Sequence, residues 1–596
     1  MAIGYHRARM SLPRLVSATS TLTPLMLLAL LASPRSAEAC GGTFCDNLPD
    51  PMPVDQRGED ILFVMDGSTV EVHVRIQYEG DAERFAWVLP LQGVPEVAVG
   101  SDPLFTAMSN AAAPTWTTVT EYDCEEDSPW GGEDGGGLSP QFDLGGDPGP
   151  PEVVFEEVVG AFEVVVLQGG TAEEVVDFLD ANNYAQDPDA EPILQEYLDE
   201  GFLFAAVKLA AGAAVDEIHP LTFKFPGDEP CVPIRLTRIA AQDDMGIRAY
   251  FLAQDRWAPS NYKHVVLNPL AYDWQQSGPG SYLELLSMAA DEAGGQGFVT
   301  EYAGPSGVVS DVSIYRPSWD ETAFIGVDPI AALDIIGSQN LNIHPLIQSL
   351  LLEFIPPPEG VDAVNFWNNI EDFADQIDLM AWDDAAFAAA LVERIIDPGL
   401  HAVDLLETWP KLTRLNTTMS PSEMTVDPTF HANADLPDLT NTTITTTEQV
   451  LCGGDQLYHV DVDGEDMPVC VPGGASYPGW EGMPHVLRIE QIPEMGPPQI
   501  ETDNSAAIGA AFASYQTGVE CLADEGGTGD GDTAGDGEGG SEPGDDAGDD
   551  GTSTGAGYEL PYDVSCGCST RRGTAPVGVA LGLLVLGLIG PWRRRD

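Results

Sequence analysis

Lysine is almost missing from this chain: Lys208, Lys224, Lys263 and Lys411 are the only ones in 596 residues. Together Lys and Arg number 24 against 96 Asp and Glu, a formal net charge of -72. A surface of that sign repels phosphate backbones and anionic headgroups, which excludes nucleic acid as a partner. It suits solubility, cation binding or saline surroundings that screen the self-repulsion. Catalytic signatures are missing too. There is no His-Glu-x-x-His helix, no Gly-x-Ser-x-Gly elbow and no Walker-type phosphate loop. No Cys-x-x-Cys pair has a matching partner, which removes the usual structural zinc knuckle. Long apolar runs are absent from the body and occur only near the two ends.

The N-terminal run carries His6, Arg7, Arg9 and Arg14, then an apolar stretch over 24–32, then Ala37-Glu38-Ala39 before Cys40. That is the three-part plan of a secretory signal peptide over 1–39, with cleavage between Ala39 and Cys40. At the other end Cys566-Gly567-Cys568 precedes an apolar run over 574–591, closed by Arg593, Arg594 and Arg595. The arginines keep their side of such a segment cytoplasmic, so it reads as a C-terminal transmembrane helix near the minimum spanning length. Before it, 524–557 is almost entirely Gly, Asp, Glu, Ser and Thr, without a single Lys or Arg. Like charges extend that stretch into a disordered acidic stalk. The expected localisation is therefore exported, in the cell envelope or on the outer surface, held by the membrane at least transiently. A signal peptidase and a C-terminal sorting protease are the implied partners.

Hydrophobic residues make up 43% of the chain, ordinary for a globular body. The expected class is α+β: an antiparallel, strand-rich N-terminal half, a helical middle region, the stalk and the C-terminal helix. The expected N-terminal domain spans 40–255. In it, strands at 61–65 and 69–78 flank Asp66-Gly67-Ser68 as a hairpin, and 85–90 follows as the third strand of a meander. A Gly/Asp-rich insertion near 124–151 lacks the apolar surface to offset its ordering entropy. Strands at 153–155 and 162–167, a helix opened by the Thr171-Ala172-Glu173-Glu174 capping box, a helix at 192–198 and a strand at 202–209 follow. Strands are expected at 221–225, 232–239 and 247–252. A mainly helical region covers 256–415, with helical spacing at 281–293, 330–336, 343–354, 364–380 and 385–396. A loop-rich region covers 416–523, with a hairpin between Cys452 and Cys470 and a strand at 486–489. The region 558–596 holds the cysteine motif, helix and arginine cluster.

The sequence has nine cysteines, and export favours disulfides over thiol chemistry. Cys40, Cys45, Cys452 and Cys470 are the candidate disulfide residues, and the odd total points to Cys566 or Cys568 as the thiol left over.

Several stretches carry family likenesses. The motif at 39–42, the run from Tyr78 to Pro90, the run from Tyr197 to Lys208, Pro233 to Arg238, Thr300 to Gly304, Leu412 to Leu415 and Ser420 to Pro428 resemble the bacterial domain-of-unknown-function family 2330 (DUF2330). The likeness runs from Cys40 to about Ile500. It implies kinship without an activity, and no functional residue is carried over from it. The tail, with Cys566, Cys568 and the arginines 593–595 behind a low-complexity spacer, resembles the MYXO-CTERM sorting signal of myxobacterial exported proteins. That resemblance implies membrane processing near the cysteines and retention at the cell surface.

Candidate chemistry in the body is thin, and no catalytic, cofactor-binding or metal-binding residue is assigned. His73, His219, His264, His344, His401, His431, His459 and His485 are scattered, which favours satisfied structural roles. Glu301, Glu423 and Asp427 could form a carboxylate-based hydrolase site; the competing reading is a capping turn at 420–423 and ion pairs to Arg235, Arg238 and Arg414. Asp461-Val462-Asp463-Gly464-Glu465-Asp466 begins like a calcium loop, but Pro472 stands where the closing Glu is needed. No cofactor is expected beyond weak calcium binding. Trp87, Trp257, Trp274 and Trp367 read as packing rather than a sugar groove. The leading expectation is a non-enzymatic surface or envelope protein with a structural or interaction role. A secreted hydrolase and a calcium-dependent adhesion protein are the alternatives.

Overall fold

A computed structural model of the chain describes residues 56–75, 86–122, 152–182, 190–210 and 217–521, apart from 228, 240, 277, 359, 378, 380–381, 441–442 and 520. All of them lie in the compact unit Met1–Gly526. The signal peptide, Cys40, Cys45, the insertion near 124–151, the stalk, the apolar tail segment, Cys566, Cys568 and the arginines 593–595 fall outside the described residues. Among the described residues no helix is long and apolar enough to cross a membrane.

The fold is mixed α and β, built around a ten-stranded sheet. Numbered along the chain, its strands are β1 (Gln56–Asp66), β2 (Thr69–Arg75), β4 (Glu96–Val99), β9 (Leu221–Pro226), β10 (Ala241–Ala253), β12 (Lys263–Leu267), β13 (Gly297–Pro305), β14 (Lys411–Met419), β19 (Val486–Gln491) and β20 (Gln499–Asp503). Their spatial order is β20-β19-β12-β13-β14-β10-β1-β2-β9-β4. The pairs β1/β10 and β12/β13 are parallel, and the other neighbours are antiparallel. A second sheet of four strands has the order β3-β8-β7-β6, from β3 (Ala86–Leu91), β6 (Glu152–Val159), β7 (Phe162–Gln168) and β8 (Leu203–Leu209). A third has the order β18-β17-β16-β5, from β5 (Thr115–Tyr122), β16 (Thr443–Val450), β17 (Gln456–Val462) and β18 (Glu465–Val471). The short β11 (Trp257–Pro259) and β15 (Phe430–Ala432) pair with each other.

The period-two pattern of β1 explains the layering. Ile61, Phe63 and Met65 point into a core shared with Val70, Val72 and Val74 of β2 and with Trp87, Leu89, Val164, Val166, Ala205 and Val207 of the second sheet. Leu62 and Val64 point the other way, against Leu104, Phe105 and Met108 of the helix Asp102–Ala112 and Ala402 and Leu405 of the helix Asp397–Thr408. Burial of such side chains on both faces contributes about 1.5–3 kcal/mol each. The second sheet is likewise covered twice. Its outer face packs Val88, Phe204 and Ala206 on Val175, Leu179, Ile193, Leu194 and Tyr197 of the helices Ala172–Ala181 and Ala190–Asp199.

The expected hairpin forms, with Gly67 at a φ of 62° in the turn between β1 and β2. The meander does not. The third strand leaves β2 and pairs with β8, where Trp87 and Leu89 face the core shared with the ten-stranded sheet and Val88 faces the helices Ala172–Ala181 and Ala190–Asp199. Its place beside β2 goes to β9. The stretch 232–239 is a short helix, Ile234–Thr237, rather than a strand: Ile234, Leu236 and Thr237 turn inward while the Arg235 amide and guanidinium bond Asp427. The boundary expected at 415 between the helical and loop-rich regions cuts through β14, a strand near the middle of the sheet, whose buried Thr413, Thr417 and Thr418 supply β-branched stems without an apolar pattern. In 364–380 the α-helix covers only Ala363–Asn368 and passes into a 3-10 helix, Ile370–Gln376.

Cys470 is bridged to Cys521 across a sequence separation of 51, so the link between Cys452 and Cys470 suggested by the hairpin is not made. Cys452 is disulfide-bonded as well. Among the described residues the free thiol is Cys231, held well above the usual thiol range by burial and by Asp427 nearby.

Candidate functional site

Strand β2 reads Val70-Glu71-Val72-His73-Val74-Arg75, a strict alternation that sends the valines into the core and Glu71, His73 and Arg75 to the opposite face. An alternating strand ordinarily shows that polar face to water. Here the face is covered, leaving Glu71 4% and His73 2% exposed. Register places Lys224 opposite Glu71 and Thr222 opposite His73 on β9. The cover is the helix Asp397–Thr408, which brings His401 over the strand from 328 residues further along the sequence than His73. That helix follows a π-helical turn, Val392–Ile396, and carries Pro398 in its first turn, where the missing N–H costs nothing. Asp397 and His401 stand four residues apart on one face.

The side chains converge on one carboxylate. His73 Nε2–H donates to Glu71 Oε1 at 3.0 Å, and His401 Nε2 closes on the same oxygen. Lys224 Nζ donates to the other oxygen, Oε2, at 2.8 Å. The His73 and His401 rings lie stacked, 5.9 Å between centroids and 15° from parallel. Burial works against charge on Glu71, but the hydrogen bonds from His401, His73 and Lys224 outweigh it and hold the carboxyl below its ordinary range. Burial also lowers the basicity of His73, against the pull of Glu71. The neutral His73 ring then accepts at Nδ1 from the Thr222 hydroxyl, 3.1 Å away. The cluster opens into a cavity of about 520 Å³. Acidic residues from four elements line it: Glu96, Glu157, Glu393 and Asp397, besides Glu71 itself. The ligating atoms of Glu71, His73 and His401 all lie within 4.8 Å of one another.

The carboxylates singled out in the sequence lie elsewhere and apart. Glu301 on β13 is fully buried against Arg414 of β14, Nε to Oε2 at 2.5 Å. It also accepts from the Tyr282 hydroxyl and, at 2.7 Å, from Asn416 Nδ2. Burial disfavours the Arg414 charge, and Glu301 more than restores it, raising its pKa above the ordinary arginine value. Asp427 accepts from the Tyr197 hydroxyl and from the backbone and side chain of Arg235, each at 2.9 Å. Arg235 also forks to Glu200 at 2.6 Å. Glu423 accepts from the Ser420 amide at 2.7 Å, as the turn reading requires, and contacts neither Glu301 nor Asp427. Arg238 is exposed.

Most of the histidines are structural, as expected. His219 accepts from the Ala161 amide and donates to the Pro220 carbonyl, and burial lowers its pKa to about 4. His264 sits between Glu490 and Thr300, and His485 against Glu292. His73 and His401 depart from that pattern. The alternation of β2 places Glu71 and His73 on one face, but nothing in the sequence announces that a distant helix covers it. Trp87, Trp257 and Trp274 are buried packing. The stretch Asp461–Asp466 is the hairpin turn between β17 and β18, with Asp463 and Gly464 at φ of 56° and 87°. Its three aspartates are engaged: Asp461 with the Gly464 amide, Asp463 with Arg488 and Asp466 with His459.

No curated protein matches the chain. Among solved structures it is similar to baculovirus P35, at 13% identity and a TM-score of 0.22 over 34% of this chain and 66% of that one. A mutated baculovirus P35 after caspase cleavage gives 11% identity and a TM-score of 0.21 over 36% and 76%. At those scores neither fold nor role is carried over. Residues 34–315 match the model of a family described as an uncharacterized protein conserved in bacteria (DUF2330). That span is shorter than the expected 40–500: it contains Glu71 and His73, and it ends before His401 and before β14. Over that span the body of the chain resembles DUF2330, a bacterial family without an assigned activity.

Proposed function

We propose that the protein is an exported cell-surface or envelope protein with a structural or interaction role, sorted through a processed C-terminal signal whose apolar segment holds it at the membrane until processing. The observation that carries the choice against a carboxylate hydrolase is the fate of Glu301, Glu423 and Asp427. Two are locked in internal ion pairs, the third caps a turn, and no pair of them shares a site. A hydrolase that works through a carboxylate pair needs both carboxyl groups facing one substrate. Export itself rests on the signal-peptide plan before Cys40 and on the cysteine, apolar and arginine series at the C-terminus.

Mass spectrometry of the mature protein from its native host tests this reading. The expected product begins at Cys40 and ends near Cys566 to Cys568. A mature protein that retains Met1, or Arg593 to Asp596 intact, overturns processing at that end. Weak calcium binding remains part of the proposal through the acidic surface, since the three aspartates of the Asp461–Asp466 turn are already hydrogen-bonded or ion-paired.

A further inference from the structure

We propose that Glu71, His73 and His401 form a binding site for a divalent transition-metal ion of the zinc class, with its remaining coordination positions open to the acidic cavity between β2, β9 and the helix Asp397–Thr408.

Two imidazole nitrogens and one carboxylate oxygen are the donor set that suits zinc and its first-row neighbours. Calcium and magnesium prefer all-oxygen shells. The spacing also fits. Donor atoms gathered within 4.8 Å of one another can each come to about 2.0–2.2 Å from a common centre after small rotations of the side chains. The contacts within the cluster make the same point. Two imidazole N–H groups crowd onto the single oxygen Glu71 Oε1, and a cation between the three atoms would replace those protons.

The surrounding residues are those a metal site needs. Lys224 occupies Glu71 Oε2, which leaves Oε1 to face the imidazoles and fixes the carboxylate plane. Thr222 holds His73 Nδ1. Its hydroxyl can donate to a bare Nδ1, or rotate and accept from Nδ1–H, and the second arrangement leaves Nε2 as a lone pair for the metal. The charge of Lys224 opposes a cation, but Glu71 offsets it directly. Glu96, Glu157, Glu393 and Asp397 around the cavity add negative potential that draws a cation in. Three protein ligands and a cavity on the fourth side match the pattern of a zinc site that keeps an exchangeable position, rather than a closed structural one.

The test uses the full-length chain, stripped with a chelator and titrated calorimetrically with Zn²⁺, and with Co²⁺ followed by its visible absorption. One equivalent is expected in each titration, with a tetrahedral-type Co²⁺ spectrum. His401→Ala should weaken Zn²⁺ binding by at least about a hundredfold, since loss of a direct ligand should exceed the effect of losing an outer partner. His401 is 43% exposed at its side chain, so this variant keeps its fold. Cys231→Ser should bind as the parent does. Equal Zn²⁺ affinity in the parent and in His401→Ala would overturn the site. So would an affinity that falls with Cys231→Ser, or the absence of a saturable one-equivalent step in the parent.

Discussion

Two carboxylates buried in the same ten-stranded sheet, Glu71 on β2 and Glu301 on β13, have opposite surroundings. Glu301 meets Arg414, Tyr282 and Asn416 in a sealed interior, and every partner comes from elements packed directly against its strand. Glu71 is almost as buried, yet it lines a cavity together with its partners His401 and Lys224, which are each nearly half exposed. Burial alone therefore does not separate a structural carboxylate from one available to a ligand; access does. Arg414 consumes the Glu301 carboxylate in an ion pair, whereas Glu71 lines the cavity.

The largest expected effect lies on the sealed side. Arg414→Ala leaves the Glu301 charge buried without its counterion and should cost about 3–5 kcal/mol, the usual result of breaking a buried pair. Urea denaturation followed by tryptophan fluorescence checks it. A loss under about 1 kcal/mol would mean that Glu301 is hydrated or protonated in the fold, and the contrast with Glu71 would collapse. Metal binding at Glu71 should be unaffected in the folded fraction of that variant.

The next effect is a pH dependence of opposite sign on neighbouring strands. Glu59 on β1 is buried beside Asp60, and burial, Asp60 and Asp427 raise its pKa from 4.5 to about 8. Asp60 takes both nearby arginines, Arg75 and Arg248, and Glu59 is left with an oxygen lacking a partner. Its folded form holds a proton that the unfolded chain releases. Its contribution is therefore most favourable below about 4.5 and falls by about 1.4 kcal/mol per pH unit up to about 8. Glu71 runs the other way: its carboxyl is depressed, so its stabilisation is present above the ordinary carboxylate range and is lost as acid protonates it. Stability measured against pH in Glu59→Gln should lose the alkaline decline, and Glu71→Gln should lose part of the acid decline. An unchanged alkaline limb in Glu59→Gln would show that another group carries it.

Much of this frame was legible in the chain. The β1–β2 hairpin, β6 and β7 about Gly160, and the helix capped by Thr171 and Glu174 follow from period, turn chemistry and capping that act over a few residues. What escaped is non-local or carried by polar residues. The partner of Ala86–Leu91 is fixed by which layers can cover both its faces, not by its own pattern. The strand β14 hides in threonines whose stems pack while their hydroxyls break the apolar signal. For the candidate site, alternation places Glu71 and His73 together on β2, but the same pattern describes a solvated strand. Only the crossing of the helix Asp397–Thr408, with Pro398 and the π-turn setting its start, turns that face inward and adds His401.

The smallest expected effect is the most discriminating. Without metal, His401→Ala removes one of three donors to Glu71 from a half-exposed position, and His73 and Lys224 remain on the two carboxylate oxygens. Exposed ion contacts of this kind contribute about 0–1 kcal/mol, so denaturation midpoints of the stripped parent and variant should nearly coincide. Adding Zn²⁺ should then separate them, because a ligand that binds only the folded state stabilises it in proportion to the logarithm of its concentration over Kd. A variant already destabilised by several kcal/mol without metal would make His401 a structural counterpart of Arg414, and the two carboxylates would differ in exposure alone. Coincidence without metal and divergence with it would show that the fold holds His401 over β2 for a ligand rather than for its own stability.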